Sequence, residues 1–212
     1  MHKLIKEESI VKSADKKIIG AISAGLLLLL TSCTPINSAA TIGSKSISID
    51  KIQKSVDEVL AERAKISTQG MNLETGDALN RSQLSFFVIS ELLNRLAKDG
   101  NISVSDQAVS DEIKSITDQV GGAANLPPAL VNAGIAPSNL RLYFRSYLLS
   151  AKISKALIAQ GISKDGVSAA VQKLVSEESK KLKVSVNPRY GTWDVTKAAI
   201  EIAPLANGAV TK

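Results

Sequence analysis

The chain has 212 residues, one cysteine, one histidine and a formal net charge of +6. A lone cysteine excludes disulfide stapling, so packing alone must hold the fold, and the length suffices for one domain with a real core. The histidine is His2, inside a leader that processing would remove. A Ser–His or Cys–His nucleophile pair and a histidine metal site are thereby excluded from the mature chain.

The first residues carry Lys3, Lys6, Lys12, Lys16 and Lys17, then an apolar run from Ile18 to Leu30. That run is shorter than the roughly 20 residues of a bilayer span and reads as the core of a secretory signal. It ends in Leu30-Thr31-Ser32-Cys33, which resembles the lipobox of bacterial lipoproteins. The cysteine is therefore expected to carry a diacylglyceryl anchor, with residues 1–32 as signal peptide and 33–40 as lipidated tether. Stretched out, Thr34 to Ala40 reaches about 25 Å, which keeps the domain close to the membrane.

From Ala39 to Ser48, β-branched residues flank Gly43-Ser44-Lys45 and predict a small hairpin or edge strand. Ser48 or Asp50 caps a first helix to about Ile66, with Ile52, Val56, Val59 and Leu60 on one face. Ser67 to Gly76 reads as a loop. A second helix, Asp77 to Asp99, is the most apolar of the mature chain and is expected at the centre of a bundle. Leu84, Phe87, Ile89, Leu92, Leu93 and Leu96 line its face, and Gly100 is the expected left-handed stop.

Ser105 caps the third helix, with Asp106 in its first turn and Val104 stapled to Val109, until Gly121-Gly122 ends it. A short helix follows Pro127-Pro128 to Asn132. A long one runs from Pro137 or Ser138 to about Ala159, with Leu140, Tyr143, Phe144, Tyr147, Leu148 and Ala151 expected inward. The last helix spans Ser163 to about Leu182 through Val167, Val171, Leu174 and Val175. Lys183 to Val195 then alternates as an extended segment, expected to pair with the N-terminal strand and to place Pro188 at an edge or bulge. Residues 41–195 are expected to form the domain and 196–212 a C-terminal tail, partly disordered toward its end.

Catalytic equipment is sparse. Gly121-Gly122 lacks the Lys-Ser/Thr of a phosphate loop. The acidic neighbours Asp57-Glu58, Asp111-Glu112 and Glu177-Glu178 diverge on their helices and read as solvated faces. The Lys180 to Lys183 cluster reads as a solvated helix end, and an exported chain excludes nucleic acid as a partner. Neither catalytic residue, cofactor nor metal is expected. The candidate binding residues are aromatic: Phe86, Tyr143, Tyr147, Tyr190 and Trp193. Tyr190 and Trp193, on the edge segment, are the foremost candidates for a cleft, with packing against the bundle as the alternative.

The segments Ala40–Leu60, Gly100–Ile113, Ala133–Ile153 and above all "VSVNPRYGTWD" (Val184–Asp194) resemble the SurA N-terminal-like domain family, in particular its actinobacterial lipoprotein members. The resemblance covers Ala39 to Asp194. It implies a mainly α fold, a helical bundle in which a small β element joins the N- and C-terminal segments. It also implies an ATP-independent chaperone (holdase) for unfolded exported polypeptides, anchored through Cys33 to the outer, extracytoplasmic face of the cell membrane. An adaptor lipoprotein for one envelope partner is the alternative. Many relatives insert a parvulin-type prolyl isomerase domain before the closing segment. Ser163 to Leu182 leaves no room for one, so isomerase activity is not expected.

Overall fold

The computed structural model describes residues 37–202. The expected signal peptide, Cys33 and the end of the tail lie outside the described residues. The chain enters as a hairpin, β1 (Ser38–Ile42) and β2 (Lys45–Ser48), turned by Gly43 at φ +58°. Strand β1 lies at the centre of a three-stranded antiparallel sheet, with β2 on one side and β3 (Ser185–Val186) on the other. Ala40 pairs with Val186 and Thr41 with Ser185, so the two ends of the domain meet as expected. Ala39, Ala40 and Ile42 are fully buried. Residues 38–40, assigned to the tether, thus belong to the sheet, because their small side chains fit under the helices where larger ones would not.

Six α-helices follow the hairpin among the described residues. Helix α1 (Ile49–Arg63) starts at Ser48, whose hydroxyl accepts from Lys51 N, and α3 (Asp106–Gln119) starts at Ser105, whose hydroxyl accepts from Ala108 N. Both caps satisfy an N–H that the first turn leaves unpaired. Between them α2 (Gly76–Asp99) forms the spine, in contact with α1, β1, α5 (Leu140–Ala159) and α6 (Val167–Lys181). Its Leu79, Leu84, Phe87, Val88, Leu92 and Leu93 are buried. Each contributes about 2 kcal/mol by leaving water, so this helix fixes where the others can lie.

Several expectations need correction. Gly100 has φ −85° and the left-handed residue is Asn101 at +53°, one position later. Leu60 is 46% exposed, because the covered face of α1 runs along Ile52, Ser55, Val56 and Val59. Helix α5 is preceded by a 3-10 turn (Pro137–Asn139) and buries Phe144, Ser146, Leu149 and Ile153. Its inward stripe is rotated from the expected one, which leaves Tyr143, Tyr147 and Ala151 exposed. Helix α6 begins at Val167, because Ser163 closes a turn onto Gly166 N first. Glu178, read as solvated, is buried and paired with Lys181.

After β3 the run Asn187–Gly191 forms a turn rather than continuing the strand. Asn187 N donates to Ala39 O and Asn187 Nδ2 to Ser38 O, while Arg189 N donates back to Asn187 Oδ1. Pro188 sits inside this turn, where its missing N–H costs no ladder bond. The chain then forms a second hairpin, β4 (Thr192–Asp194) with β5 (Ala199–Glu201). Strand β5 lies in what the sequence assigned to the tail. The Asp194 carboxylate, which accepts from Thr196 Oγ1, Thr196 N and Lys197 N, closes the intervening turn.

Candidate functional site

A cleft of about 470 Å³ opens where the α1–α2 loop, α2, the end of α4 (Leu126–Asn132) and the start of α5 converge. Its size falls in the usual range for a specific binding site, about 300–1,000 Å³. Phe86 from α2 and Tyr143 from α5 form one wall, stacked with ring centroids 6.3 Å apart and planes 30° off parallel. Each rests on a core aromatic. Phe86 lies 5.1 Å from Phe87, and Tyr143 meets Phe144 edge-on at 5.3 Å. Phe87 and Phe144 are buried, so the ladder carries two rings from the core into the cleft with little freedom to move.

One turn before the rings, Gln83 of α2 and Asn139 of the 3-10 turn line the cleft and belong to a buried relay. Asn139 Nδ2 donates to Ser55 Oγ at 2.7 Å, Ser55 Oγ donates to Gln83 Oε1, and Gln83 Nε2 donates to Gly134 O at 2.9 Å. All three side chains are buried, so each needs its partner. The relay ties α1, α2 and the 3-10 turn to the Gly134 bend, where φ is +64°. Glu58 fastens the same region from outside, its carboxylate accepting from Ser138 N at 3.0 Å. Hydrogen bonding from Ser138, its hydroxyl first, holds the Glu58 carboxyl below the usual range. At the rim Arg63 Nη1 donates to Glu74 O and pins the loop to the end of α1. The cleft thus offers an aromatic face together with the exposed side-chain amides of Asn72 and Asn132 to whatever enters it.

The structure divides the five sequence candidates. Phe86 and Tyr143 meet in the cleft. Tyr147, one turn further along α5, is 53% exposed and lies outside it. Tyr190 and Trp193 are core residues, 5% and 8% exposed, and present no face to a cleft. Trp193 donates from Nε1 to Ser179 Oγ at 3.1 Å, and burial raises the Tyr190 hydroxyl above its ordinary pKa. Their placement is the packing alternative: the second hairpin folds this segment against α6 and α2, so its side chains have no free edge to occupy. Sequence reasoning missed Ser55, Gln83 and Asn139. For the first two the signal was present, since each is a polar residue interrupting an apolar helical stripe.

Among the described residues no group of histidine, cysteine or carboxylate side chains is arranged to hold a metal ion. None of the described helices is long and apolar enough to cross a membrane. Between α5 and β3 the chain carries α6 alone.

Residues 18–154 match the family model described as the SurA-like N-terminal domain. The match ends within α5, short of the closing segment whose wording looked most specific. Neither curated proteins nor solved structures gave a match. The matched family is of chaperone type, its domain non-catalytic, and its helical fold is the one seen here from β1 through α5. The chain belongs to the SurA-like N-terminal domain family.

Proposed function

We propose that this chain is an extracytoplasmic lipoprotein that holds exposed apolar segments of unfolded exported polypeptides, without ATP and without covalent chemistry. The observation that carries the reading is the Phe86–Tyr143 stack, which lines a cleft shared with Leu73, Ile135 and the amides of Asn72 and Asn132. Rings bind apolar side chains of many shapes, and amides serve the hydrogen bonds of an extended chain whatever its sequence. Together they favour binding without strong sequence preference, which is what lowers the free concentration of aggregation-prone chains.

Lipidation of Cys33 would complete the device. Three residues, Thr34 to Ile36, lie between Cys33 and Asn37, where the described fold begins. A tether of about 14 Å at full stretch would hold the domain against the membrane and concentrate it where exported chains emerge. Mass spectrometry of the protein from membranes tests this half: a diacylglyceryl mass on Cys33, lost in Cys33→Ser, is expected.

An adaptor for one envelope partner is the second reading. The modest cleft volume favours it, since two aromatic anchors in a small concavity suit one well-fitted segment. Photo-cross-linking from a probe at Asn72, on the cleft rim, separates the two. Adducts with several unrelated unfolded clients, absent from a probe at Ala151, support the chaperone reading. A single partner in every preparation supports the adaptor.

A further inference from the structure

A second concavity lies among β2, α1, α2 and α5, away from the aromatic cleft. It consists of two adjoining hollows of about 160 and 480 Å³ that share Glu91, Asn94, Arg145 and Leu149. Cations reach it from all four elements: Lys45 from β2, Lys51 from α1, Arg95 and Lys98 from α2, and Arg145 from α5. The one carboxylate in its lining is Glu91, whose side chain is 8% exposed.

Glu91 works here as an organiser. One of its oxygens takes the Lys45 ammonium and the other takes Arg95 Nε at 3.0 Å, so both are engaged. Arg145 is turned to Val104 O and to Asp106. Lys51 and Lys98 have no salt bridge among the described residues, and Lys51 stands 4.3 Å over the Phe87 ring. Burial first, and then the neighbouring Lys45 charge, makes the Lys51 ammonium harder to keep protonated. Glu91 answers Lys45 and Arg95 and Asp106 answers Arg145, which leaves the Lys51 and Lys98 charges unfavourable unless something else answers them.

We propose that this concavity binds a phosphate-bearing anion of about the size of a phosphoglycerol group. A tetrahedral oxyanion presents acceptors on all sides and suits the uncommitted donors of Lys51 from α1 and of Arg95 and Lys98 from α2, whereas a carboxylate presents two oxygens in one plane. The terminal nitrogens of Arg95 supply a planar fork for such a group. Ile47 and Leu142 in the narrower hollow give apolar surface for the carbon skeleton of a phosphate ester. The same chemistry is available from an anionic lipid headgroup and from a soluble phosphate ester.

The test uses the full chain in non-ionic detergent micelles, titrated with glycerol 3-phosphate and read by phosphorus NMR line width and melting temperature. A second arm dopes the micelles with phosphatidylglycerol or phosphatidylcholine, and a third adds hexaglutamate. Lys51→Gln and Lys98→Gln leave the Glu91 pairs in place. Lys173→Gln, on α6, makes the same charge change elsewhere. Saturable binding of glycerol phosphate, weakened about tenfold by each of the first two substitutions and unmoved by the third, is expected. Competition by phosphatidylglycerol alone identifies the headgroup as a source. Selective loss of phosphatidylglycerol binding in the first two variants, without binding of the soluble ester, makes the lipid the sole source. No saturable binding to either phosphate, or equal losses in all three variants, overturns the proposal. So does tighter binding of hexaglutamate at the same lysines, which would make this a site for acidic peptide.

Discussion

Replacing Trp193 tests whether the closing segment is structural or contacts a client. The indole is 8% exposed, and its N–H donates to Ser179 Oγ, a hydroxyl with no exposure of its own. Trp193→Ala removes a large buried ring and leaves a cavity between the second hairpin and α6, a change that costs about 3–5 kcal/mol. For a domain of this length that lowers Tm by on the order of 10 °C. Trp193→Phe retains most of the apolar surface. Ser179 still donates to Ser176 O, so the main loss is one hydrogen bond and some area, about 1–2 kcal/mol. Ser179→Ala removes the same bond from the other side, leaving the buried indole N–H without an acceptor. The two substitutions together should therefore cost less than their sum. Urea denaturation followed by circular dichroism reads the three single variants and the Trp193→Phe/Ser179→Ala double variant against wild type. A loss below about 1 kcal/mol for Trp193→Ala would refute the placement of this ring in the core. Retained stability with lost client binding would return Trp193 to the list of contact residues.

Three further outcomes follow from the geometry. Gly191 has φ +125°, and a Cβ there would run into the backbone oxygen of Glu201, so Gly191→Ala should destabilise by about 2 kcal/mol or more in thermal melts. Gln83→Leu strips Gly134 O of its donor and Ser55 of its acceptor. A stability loss of about 2–3 kcal/mol is expected, together with weaker binding at the cleft whose wall the relay fixes. The Glu58 carboxyl titrates below its unfolded value of 4.5, so its contribution is present above that pH and fades as pH falls through the lower folded-state value. The stability gap between wild type and Glu58→Gln should accordingly be flat near neutrality and shrink below about pH 4.5.

How far these features were legible depended on whether local chemistry or tertiary contact decides them. The Ser48 and Ser105 caps, the Gly43 hairpin and the β1–β3 pairing follow from residues a few positions apart or from a change of period, and the sequence displayed them. The rotation of α5 was not legible. Tyr143 and Phe144 are both acceptable on an inward face, and contact with α2 and α3 chose Phe144. The second hairpin was hidden for a related reason. Its strands are three residues long, too short for a periodic signal, and only their pairing reveals that Trp193 faces inward. In the cleft, Phe86 and Tyr143 could be named singly from composition. Their stacking could not, because it depends on how α2 and α5 cross.

The central claim is that the Phe86–Tyr143 cleft receives unfolded chains. The most direct measurement is light scattering from a chemically unfolded, aggregation-prone client diluted into wild-type protein or into Phe86→Ala/Tyr143→Ala, for two unrelated clients, with the fold of both proteins verified by circular dichroism. Suppression by wild type and its loss in the folded double variant is the predicted result. Equal suppression by both proteins would move the binding surface elsewhere, and no suppression by either would contradict the chaperone reading itself.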